Sequence, residues 1–334
     1  MSAHAAEPWL SVLIPVYNVE PYLRDCVDSV LSQADQGVEV LLLDDRSTDG
    51  SAALMQQLAA AAPRLRLLAH ERNRGLSAAR NTLMQAARGR HLWFLDSDDM
   101  LEPGTLAPVR QQLQRVDAPD LLFVDYRVWR QRPALKHRLR GEFHRRSFVG
   151  PTRQLLGGGP AALEGALASG NQFAWAHVSA RRLWADATLR FPEGRSFEDM
   201  ATTPRLVLRA ASVLHLDHVA VRYRRRDDSL SALMSAAKVA DLSAALRGFR
   251  TELLQRWPDA PPATRFAVAH QCARNLVAAV RHARRLPPGE GAALLPRLRE
   301  DFRAAVGDDL PLLLRQYRRR GWWARSWALQ RALR

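Results

Sequence analysis

Three acidic clusters sit where chemistry could be concentrated. Asp96, Asp98 and Asp99 follow the apolar run WFL, Asp44 and Asp45 follow LLL, and Glu198 and Asp199 are adjacent in FPEGRSFEDM. Closely spaced carboxylates repel one another and attract a hard cation, so FLDSDD suits one or two protein ligands of magnesium or manganese, with diphosphate oxygens completing the shell. The same residues would also serve as a polar turn before a helix. Asp45 has the acceptor chemistry to meet a nucleobase, Asp44 equally to orient its turn, and Ser47, Thr48 and Asp49 have the types that close turns and cap helices. Arg80 and Asn81, in NRGLSAARN, would face a ligand if their helix starts at a sheet edge. An arginine there neutralises phosphate or binds a base, a surface ion pair being the alternative. Glu198 and Asp199 project about 100° apart on a helix, so only one need face a reacting centre, where a carboxylate can deprotonate a hydroxyl.

Other chemistries are poorly supplied. Cys26 and Cys272 lie among apolar neighbours in expected helices and form no metal-like cluster, which points to burial in a reducing compartment. His70 and His91 border expected strands, and His215 and His218 flank another strand's start; no zinc-like spacing emerges. Neither GxGxxG after the first strand nor GxxxxGK[ST] anywhere is present, and no nucleophile elbow is recognisable.

The elements that must position these groups alternate. Apolar runs at 10–14, 38–43, LRLLA and 91–95 read as strands, the first closed by Pro15, and the segments 21–33, 51–62 and GLSAARNTLMQAARG read as helices. Repeated β-α-β units give an open, mostly parallel α/β sheet with helices on both faces. Such sheets collect ligands beyond the carboxyl ends of their strands, where both aspartate clusters fall. A helix near 105–116 and a strand at 120–128 follow. Residues 129–170 read as irregular, with GGGPAALEG as flexible sequence in an insert over a binding face. A helix through SFEDMATTPRLVLRAA and a strand through HVAVRY complete a first region of residues 1–231, and 232–334 reads as a smaller helical region.

Taken together, SVLIPVYNVEPYLRDCVDSVL, VLLLDDRSTDGS, NRGLSAARN, FLDSDDMLEPG and FPEGRSFEDM resemble the nonprocessive bacterial family 2 glycosyltransferases with the A-type nucleotide-sugar fold. The resemblance implies that Pro15, Tyr17, Glu20 and Asp45 line a nucleobase and ribose pocket and that Arg80 lies near the nucleotide. It implies that Asp96 and Asp98, with Asp99 adjoining, hold the diphosphate and a divalent cation, Mn2+ or Mg2+, with Asp98 and Asp99 as the metal ligands. Asp199 is then the base of an inverting transfer, and the activity a hexosyltransferase taking a UDP-sugar to a glycan or lipid-linked saccharide. Cell-surface polysaccharide or lipopolysaccharide assembly is the implied setting. The family often has glycine where this chain has Arg46. The processive members' QxxRW segment and membrane helices are not found. VRYRRRDDSLS resembles a basic segment from which Arg222, Arg224, Arg225 or Arg226 would cover the diphosphate.

Composition narrows the partners. The 334 residues carry a net charge of +15, but residues 1–100 hold nine basic and thirteen acidic groups, so the other 234 carry +19. Of 49 basic residues, only Lys136 and Lys238 are lysine. Residues 126–153 contain nine basic groups against Glu142 alone, and the last twenty contain seven arginines with Trp322, Trp323 and Trp327. A helix from near Trp322 groups Trp323, Trp327 and Gln330 on one side. That suits an anionic membrane surface, or else a packed helix with a solvated arginine face. No stretch of eighteen apolar residues occurs and MSAHAAEPWLSV lacks the pattern of a signal peptide, so a cytoplasmic protein is expected, peripheral on the inner membrane's cytoplasmic face if the tail binds. Nucleic-acid binding leaves the strand-end carboxylates unexplained. A nucleotidyltransferase would need a glycine-rich, lysine-containing phosphate loop, and a silent sugar-nucleotide scaffold would show no metal-dependent donor binding.

Overall fold

A computed structural model describes residues 7–115, 117–130, 139, 141–225 and 234–334. The alternating pattern gives β1 (Leu10–Val16), α1 (Glu20–Leu31), β2 (Val38–Asp44), α2 (Ser51–Ala61), β3 (Leu65–Ala69), α3 (Leu76–Ala86) and β4 (His91–Phe94). Then come β5 (Met100–Leu101), α4 (Leu106–Leu113), β6 (Leu121–Trp129), β7 (Leu155–Gly157), α5 (Pro160–Ser169), β8 (His177–Ala180), α6 (Glu198–Arg209) and β9 (Ser212–Arg224). Six helices follow: α7 (Ala236–Ala244), α8 (Phe249–Arg256), α9 (Pro262–Ala283), α10 (Pro288–Val306), α11 (Leu310–Arg319) and α12 (Trp323–Leu333).

The strands form one sheet in the order β3-β2-β1-β4-β8-β6-β9-β5, with β7 on β9. β3, β2, β1, β4, β6 and β9 share one direction; β8, β5 and β7 run against it. β1 lies between β2 and β4, so the winding reverses beside it and a crevice opens at the carboxyl ends of β1 and β4. β1 runs through Pro15 to Val16 instead of stopping. β4 pairs with it only as far as Leu13, so the missing N–H of Pro15 costs no bond on that side.

Both faces of the sheet are covered, which is why its central strands read as unbroken apolar runs. Val12 and Ile14 join α1 and α2 in one core cluster; Leu13, one residue out of phase, points to the other, with α3. That second cluster continues without a break from Leu13 to Leu329 and Ala332, so the C-terminal helices bury their apolar faces in the same core as the sheet.

The stretch expected to be a flexible insert is ordered structure in its second half. Leu155–Gly157 pairs antiparallel with β9, and Pro160–Ser169 is a helix burying Ala162, Leu163 and Ala166. The glycines are its punctuation: Gly159, at φ 107°, turns the chain ahead of Pro160, and Gly170, at φ 70°, caps the far end. In the tail, α12 buries Leu329 and Ala332, while Trp323 and Trp327 stand 65% and 62% exposed beside the equally outward Gln330. Among the described residues no helix is long and apolar enough to cross a membrane.

Candidate active site

The chain leaves β4 into a tight turn, with the Asp99 N–H bonded to the Asp96 carbonyl at 2.9 Å. Arg224, at the end of β9, clamps it. Its backbone N–H donates to Asp99 Oδ1 (2.7 Å), its Nε to the Asp98 carbonyl (2.8 Å) and its Nη2 to Asp25 Oδ2 (3.1 Å). The guanidinium also lies 4.3 Å from the Trp129 ring centroid and 5.0 Å from that of Tyr22. Asp99 is therefore turned into the fold, 1% exposed, while Asp96 and Asp98 are half-buried. Burial, then the charges of Asp98 and Asp96, push the Asp99 carboxyl well above the usual range. Its Oδ2 is buried without a hydrogen-bond partner among the described residues. The turn thus holds more negative charge than Arg224 compensates, and a divalent cation fits it chemically. Among the described residues no group of three or more His, Cys, Asp or Glu side chains is arranged to hold an ion by itself, so a cation there would share its shell with a ligand.

Arg80 joins this turn to the far half of the chain. Buried at 1% exposure, it donates from Nη2 to Asp96 Oδ1 (2.7 Å) and from Nη1 to both Glu198 Oε1 (2.7 Å) and Asp199 Oδ1 (2.6 Å). Glu198 and Asp199 open α6, where the helix dipole favours acids. Although the two side chains leave the helix in different directions, both reach the same nitrogen, the longer glutamate side chain making up the angular difference. Burial pushes the Asp199 carboxyl up to about 7; Arg80 pulls it down, and Glu198 and Asp96 add to the rise. Nearby His177 is held neutral at about 4 by burial and by the Arg80 charge.

The remaining expected residues divide between open and engaged. Tyr17 stands 40% exposed at the end of β1, whereas Pro15 is buried in the strand. Asp45 is 3% exposed and its carboxylate accepts the N–H groups of Arg74 (2.9 Å) and Gly75 (2.7 Å) and pairs with His70 Nδ1 (2.7 Å). It organises the loop before α3 from inside. Glu20 is likewise engaged: its carboxylate takes the Gly50 N–H (2.9 Å), and its own N–H donates to Asp49 Oδ2 (3.1 Å). Asp49 also accepts the Ser51 N–H (3.0 Å), so it caps α1 and α2 at once, as its type suggested. Asp44 accepts the Ser47 N–H (2.9 Å) and orients the turn. Arg46 sits there at φ 65°, a conformation glycine adopts freely. Asn81 is buried and exchanges hydrogen bonds with both backbone groups of Phe191 (2.9 and 3.0 Å).

Sequence reasoning missed His70, which links Asp45 to Thr82, although its place just after β3 was the available signal. Of the four arginines near the end of β9, Arg224 holds the aspartate turn, Arg222 pairs with Glu102 (2.9 Å), Arg225 donates its N–H to the Trp129 carbonyl (2.9 Å), and Arg226 lies outside the described residues. Both cysteines are buried and free; the Cys26 thiol is pushed up by burial and by Asp99, Asp98 and Asp96. That leaves it no nucleophile.

Comparison with known proteins adds lineage to this geometry. Residues 11–162 match the model of the family described as Glycosyl transferase family 2. The chain is 26% identical over 243 residues to Glycosyltransferase GlyG of Streptococcus pneumoniae, spanning 66% of this chain and 72% of that protein. It is 41% identical over 96 residues to Chondroitin synthase of Escherichia coli, a match covering 29% of this chain and 14% of that one. Several other curated relatives are matched over only about a third of their own length. Among solved structures, residues 1–349 of TarS from S. aureus, in complex with UDP-GlcNAc, superpose with a TM-score of 0.72 at 19% identity, covering 97% of this chain and 90% of that one.

Proposed function

Since the chain is a family 2 glycosyltransferase, we propose that it transfers a hexose with inversion from a UDP-sugar to a hydroxyl of a glycan or lipid-linked saccharide. The setting is cell-surface polysaccharide or lipopolysaccharide assembly. The observation that carries this reading is Arg80, which draws Asp96 from the β4 turn and Asp199 from α6 to one guanidinium at the mouth of the crevice.

Asp199, whose carboxyl lies near 7, is poised to accept a proton at neutral pH. As the acceptor oxygen attacks the anomeric carbon, its proton passes to Asp199, the new C–O bond forms, and the sugar–phosphate bond breaks with its electron pair leaving on UDP. Attack from the face opposite the nucleotide turns an α-linked donor into a β-linked product and needs no covalent enzyme–sugar intermediate. Arg80 fixes one Asp199 oxygen and so orients the carboxylate. Asp98 and Asp99 would hold Mn2+ or Mg2+, Asp99 through the Oδ2 that has no hydrogen-bond partner among the described residues, with Asp96 beside them; such a cation would supply positive charge for the departing diphosphate. Tyr17, exposed at the strand end, offers a face for the base, and Asp45, with Pro15 and Glu20, shapes the loops around it. That TarS is solved with UDP-GlcNAc supports a uridine donor. The outward Trp323 and Trp327 support a peripheral place on the cytoplasmic face of the membrane.

Calorimetry against UDP, ADP, GDP and CDP with manganese present checks the donor: UDP should bind best, and equal weak binding of all four defeats the uridine assignment. NMR of the transfer product checks the stereochemistry, a retained anomeric configuration being incompatible with this mechanism.

A further inference from the structure

A second candidate site lies in the C-terminal helices and shares no lining residue with the carboxylate cluster. It is a cavity of about 830 Å³, within the ordinary range for small-molecule sites, walled by α5, α9, α11 and α12. Arg274 and Arg281 enter it from α9, Arg320 from the turn after α11, and Arg325 from α12. Some arginines elsewhere in the chain are neutralised by carboxylates, as Arg66, Arg80, Arg205 and Arg247 are. Among the described residues none of these four has a carboxylate partner. The only acid in the lining, Glu164, accepts a hydrogen bond from Thr264 Oγ1 at 2.6 Å.

Three of the four charges, those of Arg325, Arg320 and Arg274, are nevertheless held by contacts. The Arg325 guanidinium lies 4.0 Å from the Trp322 ring centroid, and that of Arg320 lies 4.8 Å from Phe266 and 5.3 Å from Trp322. Stacking leaves the N–H edges available, the arrangement in which a guanidinium meets a phosphate in bidentate fashion. Arg274 rests against the backbone of Gly170, where even a Cβ would come within 2.3 Å of its Nη1. Burial and the Arg325 charge weaken its hold on its proton, so an incoming anion would relieve a repulsion already present. The cavity is not polar throughout. Ala267, Val277, Ala278, Ala328 and Leu329 line it as well, and His270 is neutral, held at about 4 first by burial, with its Nδ1 on Tyr317 Oη at 2.8 Å.

We propose that this cavity binds a phosphate ester carried on an apolar body, the four arginines taking the anion and the alanine-rich wall the hydrocarbon. Two sources share that chemistry: an isoprenoid diphosphate, as the carrier of a lipid-linked acceptor, and the headgroup of an anionic phospholipid. Trp323 and Trp327 project from the same helix as Arg325, so a tail resting on a bilayer would bring this helix to the lipid surface.

The full chain is titrated with farnesyl diphosphate, with monomeric dihexanoyl phosphatidylglycerol and with inorganic pyrophosphate, in the absence of any nucleotide sugar. The result therefore stands apart from that of the UDP experiment. One of the two amphiphiles should bind saturably, and pyrophosphate should bind about tenfold more weakly or worse because it leaves the apolar wall unused. The double variant Arg274→Gln/Arg325→Gln should lose at least about tenfold in affinity through its missing charge-assisted bonds. Arg319→Gln, on the exposed surface outside the cavity, should not. Circular dichroism and the melting temperature confirm that the variants fold. Preference for farnesyl diphosphate assigns the isoprenoid carrier, and preference for the phosphatidylglycerol assigns the phospholipid. Saturable binding of neither, or unchanged affinity in the folded double variant, overturns the site; equal binding of pyrophosphate overturns the apolar half of the ligand.

Discussion

Arg80 is the residue on which the site's electrostatics turn. Three carboxylates from two distant segments share its guanidinium, and at 1% exposure water screens little of that interaction. Arg80→Met should therefore destabilise the protein by about 3–5 kcal/mol at pH 7.5, since breaking a buried ion pair leaves uncompensated charge behind. The loss should shrink toward pH 5, where Asp199 takes up its proton, and urea denaturation at the two pH values measures it. Asp199 gives a second expectation. As a base it acts deprotonated, so with its carboxyl near 7 the transfer rate should climb with pH through neutrality, and Asp199→Asn should lower transfer by about 100-fold or more with donor binding intact. The stability effect has the opposite sign. An unfolded aspartate ionises near 3.9, so the folded state holds this proton more tightly, and the stability it contributes is present below about pH 4 and lost as pH rises through about 7. Asp199→Asn should gain on the wild type over that window, a trend that denaturant midpoints from pH 4.5 to 7.5 would reveal.

At the scale of elements, the loops after β1 and β2 are zipped by short polar contacts. Asn18 N–H donates to Ser47 Oγ (3.2 Å), Val19 N–H to Ser51 Oγ (3.0 Å), and Glu20 with Asp49 ties the two helix starts together. Arg46 is the strained member, exposed and at φ 65°. Arg46→Gly should raise stability by up to about 1 kcal/mol, the relief of a left-handed conformation less the added freedom of glycine when unfolded. A rise in the denaturation midpoint with UDP affinity unchanged would show that Arg46 is tolerated rather than used. The helix and strand types were readable because each repeats apolar residues at its own period. The misread stretch 155–169 failed that reading because its helix is built of alanine and glycine, which carry little periodic contrast, and because β7 is only three residues long.

Across the whole molecule, the basic excess lies in sequence after residue 100, and the tail both packs and projects. Tyr317, Leu329 and Ala332 are buried, so truncation after Leu314 would remove core and cost stability. Trp323→Ser/Trp327→Ser removes the outward aromatics alone. The double variant should keep its melting temperature but lose about a hundredfold or more in partition onto phosphatidylglycerol vesicles, since each large apolar side chain transferred from water contributes about 1.5–3 kcal/mol. Unchanged vesicle sedimentation would leave the tail as packing only.

The alternation of strands and helices through β4, the acidic residues at the strands' carboxyl ends and the buried state of both cysteines were determined by the sequence itself; the antiparallel β8 between β4 and β6 was not. Local hydrophobic period and the chemistry of residues beside an apolar run do not depend on distant partners. What only the tertiary structure decided is who meets whom. Arg80 and Asp199 are 119 residues apart, and Arg224 meets Asp99 across 125. Nothing in the spacing of either pair specifies a hydrogen bond, because such contacts arise when the sheet brings β4 and β9 into one layer and α6 against α3. The same holds for Asp45, whose type suggested a ligand and whose burial turned it toward the loop of Arg74 and Gly75. A carboxylate's role is set by the donors that folding places around it, and those donors come from other elements.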